Sequence, residues 1–386
     1  MQQRILKVEI TENQDIFTDV VVLGGGLAGL SAACSMALRG RTVVLIEKKK
    51  YPRHKVCGEY VSNEVLPILE KFGFNPFDVG ALAMKRMMLS APSGTFVESK
   101  LPLGAFSLSR YTLDYELSER AKALGVDVRL GVQARKVQPL DDGYEVIAGK
   151  STLRCKYVIG AFGKTSNLRT AGGPGTPSRS PFVGVKRHVE LPFPDDLVAL
   201  HNFKGGYCGV SRVEGNRVNI CYLAQAADVH KAGGLAEFEE QVLHQNPHLL
   251  KALTEAKEVF PRPMAISNFT MGSGEPVQNG IFMAGDAAGM ISPLCGNGMA
   301  MAITAGYVLG GQLAAGLAVR ARPEALQKQY ADYWNKQFKS RLAWGNRLQW
   351  LFGQPAIANA ALGAARVMPS VVTSIIKKTH GEPLLA

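Results

Sequence analysis

Two glycine-rich stretches, an acid-ended strand and one short basic segment hold the residues whose types and spacing could do chemistry. The first stretch, Gly24-Gly25-Gly26-Leu27-Ala28-Gly29, has the spacing Gly-x-Gly-x-x-Gly, and Glu47 closes the next apolar run. Such a unit binds a dinucleotide. Gly24 makes a tight turn, Gly26 lets backbone N–H groups approach a pyrophosphate, and Gly29 lets a helix pack close to a strand. The helix N-terminus beyond Leu27 and Ala28 then stabilises the phosphate charge. Glu47 suits a ribose hydroxyl, and its charge argues against a 2′-phosphate. Lys48, with Lys49 and Lys50, adds a basic turn at the same strand end. The segment Tyr51-Pro52-Arg53-His54-Lys55-Val56-Cys57-Gly58-Glu59 follows at once and so lies over the cofactor, where Arg53 or Lys55 could neutralise pyrophosphate. Cys57 is a thiol that could serve as proton donor or thiolate, or pack as a small buried hydrophobe.

The second stretch lies near the other end. Gly285-Asp286 ends the run from Gly280, and Pro293-Leu294-Cys295-Gly296-Asn297-Gly298-Met299 opens an Ala/Gly helix. A helix N-terminus there would stabilise negative charge. The elements that must position these residues are legible in outline. Asp19 to Leu23 reads as a buried parallel strand, Leu30 to Arg39 as a helix closed by Gly40, and Thr42 to Ile46 as a second strand. Ser109 to Asp114 leads into a helix reaching Leu124, followed by a strand over Val126 to Leu130. Between Pro181 and Asn268 four strands are expected, at 182–189, 198–202, 206–213 and 217–223, with a hairpin over Met84 to Leu103 joining the same sheet. Residues 287–319 carry no charge and exceed the ~20 residues a membrane helix needs. Eight interruptions by glycine or proline point instead to a loop and a tightly packed buried helix.

The two fingerprints together resemble the flavoprotein superfamily of geranylgeranyl reductases, aromatic hydroxylases of the p-hydroxybenzoate hydroxylase type and flavin-dependent halogenases. The resemblance spans roughly residues 19 to 330 and implies FAD as the dinucleotide. It implies that Gly285 and Asp286 hold the ribityl chain, and that Pro293, Gly296, Asn297, Gly298 and Met299 line the isoalloxazine. It places Arg110 near the ribityl or pyrophosphate groups, with helix capping as the competing role. Tyr157 to Ser166, which includes Gly163, resembles the hydroxylases' Asp-Gly fingerprint, but Phe162 stands where they have Asp. That departure puts direct reduction by NAD(P)H in doubt. Arg53-x-x-x-Cys57-Gly58-Glu59 is similar to a geranylgeranyl reductase segment, which implies Cys57 and Glu59 near the reacting face of the flavin as catalytic candidates. The middle sheet would roof the substrate cavity, with Phe193, Phe203, Tyr207 and Tyr222 as candidate lining. Gly205 to Val210 matches the outline of the reductases' aromatic motif, whereas the lysine and tryptophan motif of tryptophan halogenases is not evident.

Composition bounds the rest. The 386 residues carry 44 Lys+Arg against 32 Asp+Glu, a net charge of +12. Hydrophobic content of 46% with 20% charged residues excludes a disordered or fibrous chain. The six cysteines are scattered without Cys-x-x-Cys and the seven histidines are dispersed, so neither a disulfide framework nor a metal site is expected, and a reducing cytoplasm is. Charged residues punctuate Met1 to Thr18, unlike a signal peptide. From Trp334 to Gly381 there are seven basic residues (336, 339, 341, 347, 366, 377, 378) and no acid, interleaved with Trp334, Trp344, Trp350, Leu351 and Phe352. This tail could pack as helices, meet an anionic membrane surface peripherally, or dock an acidic acyl-carrier protein. No nucleic-acid recognition motif accompanies the charge.

The expectation is an α/β fold: a glutathione-reductase-type, Rossmann-like FAD-binding domain built from 1–83, 104–180 and 269–330. A β-sheet substrate domain (84–103 and 181–268) is inserted, and a C-terminal helical region covers 331–386. The expected activity is FAD-dependent oxidoreduction of a hydrophobic small molecule, lipid-like, polyprenyl or carrier-tethered, by hydride transfer to or from a C=C bond. Monooxygenation through an oxygen adduct of the flavin is the alternative, followed by halogenation and by simple electron carriage. Electrons would come from NAD(P)H or from a partner reductase.

Overall fold

A computed structural model of the chain describes residues 16–163, 181–267, 272–290, 292–352, 354–367 and 380–384. The first described element is β1 (Ile16–Leu23), whose Val20, Val21 and Val22 are wholly inaccessible. A strand buried on both faces needs parallel neighbours covered by helices. β1 has them in β2 (Val43–Glu47), with Val22 opposite Leu45, and in β9 (Ser151–Gly160), with Val22 opposite Ile159. β6 (Asp127–Leu130) extends this sheet beyond β2. The hairpin of β7 (Ala134–Leu140) and β8 (Gly143–Ala148) attaches to β9 and was not foreseen.

Helix α1 (Leu27–Ala37) and helix α2 (Arg110–Ala123) cover this sheet. The second sheet contains β3 (Tyr60–Ser62), β4 (Leu82–Ser90), β5 (Phe96–Ser107), β10 (Phe182–Glu190), β11 (Leu197–Phe203), β12 (Gly206–Val213) and β13 (Arg217–Gln225). Its order is β10-β13-β12-β11-β4-β5-β3, with β14 (Met264–Ile266) beside β10. The four strands expected in the middle of the chain are all present, and the hairpin expected at 84–103 is part of the longer pair β4 and β5. β4 runs parallel to β11, which stitches the early hairpin to the later strands.

The glycine-punctuated run near the C-terminal half becomes α3 (Gly298–Ala318), which lies along α1. A Cβ on Gly306 would stand 2.2 Å from the Ala28 carbonyl oxygen, so glycine is what permits this approach. Among the described residues α3 is the helix long and apolar enough to cross a membrane, and 56% of its most apolar window is buried inside the protein. The last long helix, α4 (Pro323–Phe352), begins before residue 331, because Pro323 fits the first turn of a helix, where its missing N–H costs nothing. α5 (Pro355–Val367) follows and packs on β5 and β11.

The second sheet's far side has its own core, in which Phe203 is fully buried beside Phe238 and Tyr222. Phe193 packs at its edge. Phe203 therefore faces away from the first sheet, because strand residues alternate faces, and Phe193, in the loop after β10, packs on the same far side; neither lines the space between the sheets.

Candidate cofactor and substrate site

A cavity of about 790 Å³ lies between the two sheets. Its first wall is the glycine turn after β1. Gly24 adopts φ +111°, and a Cβ there would sit 2.4 Å from the Ala161 carbonyl oxygen, so the turn requires glycine. Gly26 caps α1 with extended backbone, and a Cβ on it would meet no atom within 4 Å. Leu27 and Ala28 line the cavity beside it, while Gly29 presses against the Gly24 carbonyl.

Glu47, at the end of β2, is nearly buried and accepts hydrogen bonds from the amides of Gly25 (2.9 Å) and Lys49 (2.8 Å) and from Arg53 (3.2 Å). It thus shapes the glycine turn while still lining the cavity, along with Lys48. Tyr51 reinforces the turn by donating its hydroxyl to the Gly25 carbonyl. The opposite wall comes from the later fingerprint. β15 (Val277–Gln278) and β16 (Ile281–Met283) complete the first sheet, and Gly285 and Asp286 follow β16 into the cavity wall. Pro293 opens the short turn Pro293–Cys295, after which Gly296, Gly298 and Met299 line the same space. Asn297 sits at the N-cap of α3. Gly163 lines the cavity, whereas residues 164–166 of that expected fingerprint lie outside the described residues.

The Arg53–Glu59 segment runs between the sheets. Cys57 lines the cavity with its Sγ 3.6 Å from the Met299 Sδ and its thiol against the Arg110 guanidinium. Arg110 also makes two parallel bonds to Asp114 (2.7 and 2.9 Å), and Lys55 reaches the same carboxylate at 2.5 Å. Burial alone would raise the Asp114 pKa, but Arg110 and Lys55 hold it below the usual carboxylate range. Lys55 is thereby occupied with Asp114, and burial lowers its own pKa. Arg53 keeps its Nε buried and without a protein partner among the described residues.

Glu59 is the centre of a second buried cluster. Its backbone is held at φ +56°, and both carboxylate oxygens are engaged. Oε1 accepts from Lys186 Nζ (2.5 Å) and from the Arg110 amide (2.7 Å), and Oε2 pairs with His188 Nε2 (2.7 Å). Burial opposes the charge, yet Lys186 and His188 keep the Glu59 pKa below its ordinary value. His54 stands edge-on to His188, and burial, with Lys186 nearby, lowers its pKa to about 4. Ligand atoms of His54, Glu59 and His188 lie within 4.8 Å of one another, a spacing that a divalent ion could use. The Lys186 ammonium already supplies the positive charge that this carboxylate needs.

Lys186 and His188 were not foreseen, although two polar residues two apart put both on one face of an apolar strand. Asp114 stands four residues after Arg110 on one helix, a pairing signal in its own right. The roof is formed by the second sheet. Met87, Leu89, Val198, Leu200, Tyr207 and Leu223 line it. Of the four aromatic residues expected there, Tyr207 has this position fully. Tyr222 reaches the wall but buries its hydroxyl against Glu239 at 2.7 Å.

Residues 17–333 match the family model described as FAD binding domain. The chain belongs to this family. It is an FAD-dependent oxidoreductase. The FAD-binding chain is 28% identical over 369 residues to digeranylgeranylglycerophospholipid reductase 2 of Methanopyrus kandleri, covering 90% of this chain and 89% of that one. Its fold matches a geranylgeranyl bacteriochlorophyll reductase-like protein from Thermoplasma acidophilum, with TM-score 0.78, 18% identity and coverage of 95% and 97%. It also matches the flavin-dependent brominase Bmp2, with TM-score 0.75, 15% identity and coverage of 94% and 93%. The residues present fit the cofactor. The open space at Gly26, the unpartnered Arg53 Nε and the α1 N-terminus together make a cradle for a pyrophosphate.

Proposed function

We propose that this FAD-dependent enzyme reduces a C=C bond in a long, apolar, lipid-like molecule. The observation that carries the reading is the cavity itself: its roof is mainly apolar, with Met87, Leu89, Val198, Leu200 and Leu223 beside Tyr207, and its floor is the pair of glycine-rich fingerprints. A cavity enclosed between two sheets also disfavours simple electron carriage, for which an exposed flavin edge would serve better. When bound, FAD supplies two-electron redox chemistry. Asp286 and the Gly296 to Gly298 backbone hold the cofactor, and Arg53 and Glu47 fix its pyrophosphate and ribose. The apolar roof excludes water and aligns the substrate chain. Cys57 Sγ stands at the junction of floor and roof to deliver a proton to the substrate carbon, and the Arg110 guanidinium against it would balance the thiolate left behind. Glu59 acts as a positioning group, since its two oxygens are committed to Lys186, His188 and the Arg110 amide.

The test uses FAD-loaded protein reduced chemically without oxygen. Mixing with a geranylgeranyl phospholipid should reoxidise the flavin and saturate one double bond per turnover. If the lipid leaves the flavin reduced, and aerated buffer gives a distinct transient spectrum and an oxygenated product, the reading gives way to monooxygenation. A lipid substrate also implies access from a membrane surface in the cytoplasm. Lys336, Lys339, Arg347 and Arg366 are exposed on α4 and α5, whereas Trp334 is buried in the core and Arg341 is drawn to Glu64. The side chains of Trp350, Leu351 and Phe352, and residues Lys377 and Lys378, lie outside the described residues. Sedimentation with anionic vesicles, reversed by salt, is the expected result; binding to an acidic acyl-carrier protein instead would redirect the reading to a tethered substrate.

A further inference from the structure

Residue His380 lies 320 positions from Tyr60 in the chain, yet its Nε2 is 3.1 Å from the Tyr60 hydroxyl, and the two rings meet edge-on at 6.0 Å. Tyr60 itself backs the flavin-side loop, since a Cβ on Gly296 would touch its ring at 3.1 Å. His380 lines the same cavity as Gly24, Cys57 and Asp286, and Leu348 of α4 joins it. The next residue, Gly381, donates its amide to the buried Glu64 and lies under the Arg341 guanidinium, and Leu384 packs against the main core. Glu64 also bonds the side chain of Asn297, the residue that caps α3 at the cofactor loop. Segment 380–384 is therefore tied to the cofactor loop twice, through the Tyr60 ring and through the buried Glu64 carboxylate.

We propose that segment 380–384 is a wall of the flavin cavity, that His380 and Leu348 set the length of apolar substrate it admits, and that Glu64 is the positioning residue joining this wall to Asn297. The wall itself follows from the contacts above. The substrate-length role rests on the lipid reading, so the experiment separates the two.

Full-length, FAD-loaded protein is reduced by dithionite, and the second-order rate of flavin bleaching reports how open the cavity is. Tyr60→Phe and His380→Ala should each raise that rate about two- to tenfold, the change in open population expected when one hydrogen bond is lost. His380→Gln, which keeps a polar group of similar reach, should restore most of the difference. His230→Ala, at an exposed position on the second sheet's outer helix, should leave the rate unchanged. Glu64→Gln should keep the rate near that of the unaltered protein, and Glu64→Ala should raise it while also perturbing the flavin spectrum through Asn297. Equal rates in the unaltered protein, His380→Ala and Tyr60→Phe would overturn the wall.

Difference spectra with farnesol and geranylgeraniol then read the length preference. His380→Ala and Leu348→Ala should shift binding toward the longer alcohol. An unshifted preference overturns the specificity role. If neither alcohol binds the unaltered protein, the lipid reading fails and the specificity role with it, while the dithionite rates still decide the wall.

Discussion

Lys186 is a buried ammonium on β10 whose counter-charge, Glu59, comes from the segment that runs between the sheets. Breaking such a pair from one side leaves an uncompensated charge, at a cost of about 3–5 kcal/mol. Lys186→Met should therefore lower the unfolding midpoint sharply, and adding Glu59→Gln should recover much of it; thermal unfolding followed by circular dichroism checks both. The same cluster sets the acid limb of stability. The depressed His54 pKa means that the unfolded chain takes up a proton below 6.5 that the folded chain refuses until about 4. Stability should thus be full above pH 6.5 and fall between 6.5 and 4. It should fall again below 4.5, where Glu59 must give up its depressed pKa, and below 3.8 for Asp114. A midpoint-versus-pH profile in which His54→Asn removes only the first decline is the expected result. Arg53→Ala should weaken FAD about 10- to 100-fold, the effect of losing a charge-assisted hydrogen bond, as read by FAD fluorescence titration. The Arg53–Glu59 run, Asp286 and the two glycine loops could be found in the sequence because their spacing is local. The partners of Lys186, His188 and His380 could not, because each lies more than a hundred residues away in the chain.

At the scale of elements, the helix pair α1 and α3 is the tightest joint, since Gly306 and Gly310 bring backbone against backbone at Ala28 and Ala32. Gly306→Val must displace α1, and with it the Gly26 cap. Reduced thermal stability together with reduced FAD retention on gel filtration is the expected outcome, and overpacking of this kind costs about 1–3 kcal/mol or more. A variant that keeps its FAD at full stability would show that the two helices can separate without disturbing the cradle. The sequence marked α3 correctly as buried because its glycines repeat too often for a lipid-facing helix. It also marked β10 to β13, because runs of alternating and β-branched residues are bounded by turns such as Lys204-Gly205 and Glu214-Gly215-Asn216. The hairpin of β7 and β8 went unread because β7 is largely exposed and polar, so the hydrophobic period that reveals a strand is weak there.

Over the whole molecule, residues of both sheets line the cavity, so cofactor binding should act on both. FAD at about 100 times its dissociation constant should stabilise the protein by about 2.7 kcal/mol, and differential scanning calorimetry should show one transition moving upward as a unit. Two transitions, with only one responding to FAD, would mean that the sheets melt independently. The joint between α1 and α3 has a further consequence, for the order in which the protein is made. About 260 residues separate the two helices, so α1 leaves the ribosome long before the surface that covers it. Until then its mainly apolar flank has no native partner, and Ser31 and Ser35 lack the Ile303 and Tyr307 carbonyls they bond in the finished fold, which is the circumstance in which chains aggregate or recruit chaperones. Loading with the cofactor must come late in synthesis, and shortage of FAD in the cell would act first on the yield of folded protein rather than on its turnover.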